Sequence, residues 1–153
     1  LNKRPNLERK IEMATLNLKI ITPERVVFDS TVDQVTAVAN DGELTILPGH
    51  EPIVTTLAID VLRFKIKGEE ETAAVIGGIM NVNNSEVEIL SDMAELDIEI
   101  DEARANQAKA RHEAEKSQKT DKLESYLTEM ALSRAMVRLK AAEMAKIRKM
   151  ARR

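Results

Sequence analysis

The stretch VLRFKIKG, Val61–Gly68, decides how this chain folds. Leu62, Phe64 and Ile66 alternate with Arg63, Lys65 and Lys67. That period of two is the signature of a strand with one face in a core and the other in water. Lys67-Gly68 then supplies turn chemistry. Working outward, the same grammar repeats. Upstream lie Leu16–Thr22, where Leu16, Leu18 and Ile20 share a face, then Val26–Phe28, Thr31–Ala39 and Leu44–Leu47. Downstream lie Ala73–Ile76, Ile79–Val82 and Val87–Leu90. Pro23-Glu24, Asp41-Gly42, Pro48-Gly49 and Asn83-Asn84 punctuate them. Many short strands at regular spacing predict an antiparallel β-sandwich or flattened barrel.

After residue 100 both the grammar and the charge change. Residues 1–100 hold 9 basic against 18 acidic side chains, and residues 101–153 hold 14 against 8. Within Ala131–Arg153 there are eight basic residues and one acid, Glu143. Asp101 suits a helix N-cap, and Asp121 with Glu124 forms a capping-type pair. Lys116–Thr120 reads as a turn between helices at about 101–116 and 121–150. Helix one offers small residues, Ala103, Ala105, Ala108, Ala110 and Ala114. Helix two offers a stripe of Leu123, Leu127, Met130, Val137, Met144 and Ile147. Such a seam buries little area, so the hairpin is expected to open where a partner offers a better surface. The domains expected are therefore an extension at 1–14, poorly ordered, a sandwich at 15–98 and a helical hairpin at 99–153. Met13-Ala14-Thr15 resembles a natural start, and the residues before it read as an appended segment.

Composition excludes several function classes. The chain has no cysteine, so it has neither disulfides nor thiolate ligands. It has no apolar run near the roughly 18–20 residues that span a bilayer, and its start lacks the apolar region of a secretion signal. Phe28, Phe64 and Tyr126 are the only aromatics, which argues against base stacking. There is no glycine-rich phosphate loop ending in Lys-Ser/Thr. His50 and His112 lack catalytic or metal-ligand spacing, so catalytic and metal residues are expected to be none. Gly77-Gly78 reads as turn geometry, or as a bulge or close backbone approach. Arg104 and Arg111 share one helix face, and Arg134 and Arg138 share another. Either these are scattered solvated charges, or the closed hairpin converges them on a polyanion.

Five motifs in order, GELTILPGH (Gly42–His50), VIGGI (Val75–Ile79), ILSDMAE (Ile89–Glu95), IDEARA (Ile100–Ala105) and ALSRAMVRLKAA (Ala131–Ala142), closely resemble the epsilon subunit of F-type ATP synthase. The likeness runs from about Thr15 to Arg148. Ile79 stands where the family often has Phe, and Thr45 where a small residue is common.

The resemblance implies a sandwich of about ten strands followed by a helical hairpin. It implies a non-catalytic central-stalk subunit that clamps gamma, seats the stalk on the c-ring, and regulates ATP hydrolysis through its mobile helices. Glu43 and His50 match the loop that meets the c-ring and gamma. Arg134, Arg138, Lys140 and Lys146 fall where basic residues of the extended arm meet the beta subunits. Ile100, Asp101 and Arg104 match the motif with which some bacterial members bind ATP, and Glu95, Arg111, Arg134 and Arg138 match their other ligands. Asp101 equally suits a simple cap. No cofactor is required, and ATP is implied as a regulatory ligand. The implied place is the cytoplasmic face of a bacterial membrane, or the stromal face of a thylakoid, with membrane contact only through the complex. Two other readings compete: a freestanding ATP-binding sensor module, and a basic-arm adaptor for nucleic acid, the weaker of the two.

Overall fold

The computed structural model describes residues 14–116 and 122–152. The expected extension, apart from Ala14, and the expected turn, apart from Lys116, with its Asp121 cap lie outside the described residues. Eight strands come first: β1 (Leu16–Ile21), β2 (Val26–Val32), β3 (Gln34–Ala39), β4 (Gly42–Ile46), β5 (Ile53–Ile66), β6 (Glu69–Asn83), β7 (Glu86–Leu90) and β8 (Ala94–Leu96). A 3-10 turn, Asp97–Glu99, leads to α1 (Glu102–Lys116) and α2 (Lys122–Ala151). The strand count is eight rather than the ten implied by the resemblance, because β5 and β6 each run through what shorter spacing would divide.

The strands hydrogen-bond in the order β2-β1-β7-β6-β5-β3-β4, with β8 on β6. All neighbours are antiparallel except β1 and β7. The path folds over on itself. Phe28 of β2 and Phe64 of β5 are far apart along the ladder, yet their rings lie 4.7 Å apart at 49°. That tilted contact joins the two layers across the core. Leu16, Leu18, Ile20, Val35, Ile46, Phe64, Met80 and Ile89 fill the core with essentially no exposure. Lys67-Gly68 closes β5 onto β6 with both residues at positive φ, 51° and 81°, the backbone of a tight hairpin turn.

Gly77-Gly78 is not a turn between strands. It lies inside β6, where that strand stops pairing with β7 and starts pairing with β8. Of the two alternatives, close backbone approach holds. A Cβ on Gly78 would collide with the Leu90 carbonyl oxygen and sit 3.0 Å from Ser91 Cα.

The arm lies down on the sandwich. Val137 and Ala141 of α2 cover Val61 and Ala74 on the outer face of the β5–β6 hairpin. The expected Leu/Met stripe forms the seam only in part: Val137 and Met144 pack on that patch, while three of its other residues do not. Leu123, Leu127 and Ile147 are 65%, 58% and 60% exposed. The buried residues of α2 are instead Thr128, Ala135, Val137, Ala141, Ala142 and Ala145, and of α1 only Ala105. Small side chains let the helix backbone come close to the sheet. The cost is little buried apolar area, so attachment depends on polar contacts.

Candidate functional site

Ion pairs supply that attachment. Arg138 forks onto Glu95, with Nε to Oε2 at 2.9 Å and Nη2 to Oε1 at 3.1 Å. Lys140 reaches Asp60 at 2.7 Å and Arg152 reaches Glu69 at 3.3 Å, while within the arm Lys146 of α2 pairs with Glu102 of α1. The innermost pair is Arg148 with Asp97, at 2.6 Å, with side chains 14% and 3% exposed. Thr72 donates to the same carboxylate at 3.2 Å, and Glu71 lies 3.5 Å from Arg148. The acidic body and basic arm thus satisfy each other. The charge split in the sequence pointed toward an outside acidic partner, and it missed this internal one.

Where the end of the sandwich meets the arm lies a cavity of about 370 Å³. Glu95, Glu99, Ile100, Asp101, Arg104, Ala105, Ala108 and Arg138 line it. A volume of that size falls within the range of small-molecule sites. Each element brings its part for a local reason. β8 delivers Glu95, and the 3-10 turn delivers Glu99. Asp101 caps α1, as its Oδ1 accepts from the Arg104 N–H at 3.1 Å and its carbonyl from the Ala105 N–H at 2.9 Å. That cap orients Arg104 and Ala105 into the first turn of the helix. Its capping role is therefore filled, and the residue also lines the cavity.

Of the seven residues expected around ATP, the cavity gathers Glu95, Ile100, Asp101, Arg104 and Arg138. Arg111 and Arg134 are not among its lining. Arg111 pairs with Glu115 one turn on, at 3.1 Å. Arg134 is half-buried, and its Nε finds no hydrogen-bond partner among the described residues. Seven residues separate Arg104 from Arg111, which is about 10 Å along a helix. They share a face but not a site. Glu43 and His50 lie elsewhere, on the β4 side of the sandwich. Glu43 pairs with Arg63 at 2.7 Å, and His50 Nδ1 lies 2.6 Å from the Glu51 carbonyl oxygen. Of the four cations expected to meet beta subunits, Arg138, Lys140 and Lys146 are engaged with the chain's own carboxylates.

Sequence reasoning missed Glu99 and its partner Arg25. Arg25 Nη2 lies 2.8 Å from each oxygen of the Glu99 carboxylate. That hydrogen bond holds the Glu99 carboxyl below its usual range, against an upward push from burial. A lowered pKa means that the pair stabilises the fold above the ordinary carboxylate range. The contribution is lost as pH falls through the folded-state value. No local pattern in the sequence joins residues 74 apart.

The cavity joins two domains whose types and order recur in known proteins. The family model for the ATP synthase, Delta/Epsilon chain, beta-sandwich domain matches residues 15–97, and that for the long alpha-helix domain matches residues 99–143. The chain belongs to the ATP synthase Delta/Epsilon chain family. The ATP synthase epsilon chain of Desulforamulus reducens is 44% identical over 129 residues, covering 84% of this chain and 98% of its own. That of Bacillus licheniformis is 42% identical over 130 residues, covering 85% and 99%. Among solved structures, a chain in the Euglena gracilis mitochondrial ATP synthase, OSCP/F1/c-ring in rotational state 1, is similar with TM-score 0.72 and 29% identity, covering 84% of this chain and 81% of its own. The family expected from the five ordered motifs is thus the family found. Among the described residues, no helix is long and apolar enough to cross a membrane.

Proposed function

We propose that this chain is a non-catalytic central-stalk subunit of ATP synthase whose arm regulates ATP hydrolysis and closes around ATP. The single observation that carries the regulatory reading is the cavity at the joint, where Arg104 of α1 and Arg138 of α2 line one space. A triphosphate bound there touches both helices at once, and guanidinium groups suit its oxygens. Ile100, Ala105 and Ala108 give an apolar wall for a purine. A ligand bound only by the closed arm stabilises it by mass action, by about 2.7 kcal/mol at a hundredfold excess over its dissociation constant.

The arm also carries what an open state needs. Arg138 and Lys140 are occupied by the sandwich when it is down and are freed when it lifts, and Lys146 is freed when α2 parts from Glu102 of α1. They then meet acidic surface on the beta subunits. The exposed Leu123, Leu127, Ile147 and Met150 lie unburied in the closed form and gain cover beside other subunits. On the body, the loop with Glu43 and His50 faces the c-ring, and an apolar groove beside Ile21, Pro23, Ile79 and Leu90 receives gamma. The subunit is peripheral on the cytoplasmic face of the membrane and touches it only through the complex.

Calorimetric titration of the full chain with ATP tests the sensing role. Binding is expected, and Arg104→Ala and Arg138→Ala should each weaken it about tenfold to a hundredfold, the loss of charge-assisted hydrogen bonds. Lys109→Ala, outside the cavity lining, should leave it unchanged. No heat at millimolar ATP would remove the sensing role and leave the stalk role standing. For regulation, removing Ala131–Arg153 should raise ATP hydrolysis by the reconstituted complex. An unchanged rate would count against the arm as inhibitor.

A further inference from the structure

We propose that Arg25, in the turn between β1 and β2 of the sandwich, is a positioning residue for the arm cavity: by binding Glu99 it masks a carboxylate that would otherwise repel a polyanion. This rests on reading the cavity as a triphosphate site. The cavity lining is an awkward one for phosphate. It presents three carboxylates, Glu95, Glu99 and Asp101, against two guanidinium groups, Arg104 and Arg138. Two of the carboxylates are occupied within the arm and its joint. Glu95 is forked by Arg138, and Asp101 caps α1. Glu99 has no cation inside the cavity; its partner comes from the sandwich.

That partner is held in place. Thr22 Oγ1 donates to the Arg25 carbonyl at 3.0 Å and accepts from the Arg25 N–H at 3.3 Å. A backbone bond from Thr22 N–H to the same carbonyl, 2.9 Å, closes the turn. The guanidinium then meets both Glu99 oxygens at 2.8 Å. Glu99 Oε2 also accepts from the Leu96 N–H at 3.2 Å, which fixes the carboxylate from the other side. The charge of Glu99 is therefore balanced before any ligand arrives. With Arg25 gone, the same carboxylate faces the cavity unpaired, and each phosphate oxygen nearby feels one more negative charge.

Arg25 acts in this role through its charge rather than its shape, and titration of the full chain with ATP by calorimetry separates the two. Arg25→Ala should weaken binding about tenfold at low salt, and less in about 0.5 M salt, because the pair is partly exposed. Glu99→Gln alone should bind ATP at least as tightly as the unaltered chain. The double variant Arg25→Ala/Glu99→Gln should regain most of the lost affinity. Arg25→Lys, which keeps the charge but not the fork, should lose only a small part. Two results would overturn the proposal: Arg25→Ala binding as well as the unaltered chain, or the double variant binding as weakly as Arg25→Ala. The second would make Arg25 a strut. Absence of ATP binding by the unaltered chain is a different failure, since it removes the triphosphate site itself and the masking role with it.

Discussion

Asp97→Ala is expected to release the arm from the sandwich while leaving the sandwich folded. Asp97 is the principal counter-charge of Arg148, and both are deeply placed, at 3% and 14% exposure. Arg148 Nε and Nη1 are already buried without hydrogen-bond partners among the described residues. Among the described residues, removing Asp97 leaves the guanidinium with only the 3.5 Å approach of Glu71. An uncompensated buried charge of this kind costs about 3–5 kcal/mol. The apolar patch beneath α2, Val61 and Ala74 against Val137 and Ala141, is too small to absorb that. Lifting α2 returns Arg148 to water, so the cost is met by undocking rather than by unfolding. Amide hydrogen exchange reads both halves of the prediction. Exchange in α2 should accelerate by at least a hundredfold, while β5, β6 and β7 keep their protection. Unchanged protection in α2 would show that the arm is held by something other than this pair.

Gly78→Ala is expected to have the opposite distribution, destroying the sandwich rather than the joint. Gly78 sits at φ 124°, a conformation that side-chain-bearing residues rarely adopt. Its new Cβ would collide with the Leu90 carbonyl oxygen and press on Ser91 Cα. Those atoms are backbone at the end of β7 and cannot rotate away. We expect a loss above about 4 kcal/mol, most of the stability of an ordinary domain. Gly77→Ala is the comparison. Its Cβ would meet only the Leu57 carbonyl at 3.6 Å, and its φ of 65° carries the ordinary left-handed penalty of about 1–2 kcal/mol. Urea midpoints of the two variants should therefore differ widely. Similar midpoints would mean that β7 can yield at Leu90.

These two positions mark where sequence reasoning reached and where it stopped. The alternation at Leu16–Ile20 and Leu62–Phe64 identified core strands, because one wet face imposes a period of two. Ile53–Asp60 escaped notice, since Thr55, Thr56, Ala58 and Asp60 blur that period along the first half of β5. The three residues of β8 are too few to show any period. In the arm, counting large residues placed Val137 and Met144 on the packed face but gave the rest of the seam wrongly. Leu123, Leu127 and Ile147 stand in water, while alanines touch the sheet. Periodicity finds the most apolar stripe, but a helix seated closely on a sheet needs its smallest one. Within the cavity, Asp101 and Arg104 were readable because one helical turn joins them. Arg25 and Glu99 were not, since only the folded sandwich brings them together.

Ion pairs and ATP together would hold the arm down. The chain has no cysteine, so Glu70→Cys and Met150→Cys would place two unique spin labels, one at the start of β6 between the Glu69 and Glu71 that Arg152 and Arg148 reach, and one near the exposed end of α2. The distance between them, measured in the full chain by pulsed electron resonance, tests the claim most directly. A single short distance is predicted at low salt. High salt without ATP should broaden it toward longer values, and millimolar ATP should restore the short one. A distribution unchanged by salt and by ATP would contradict the account.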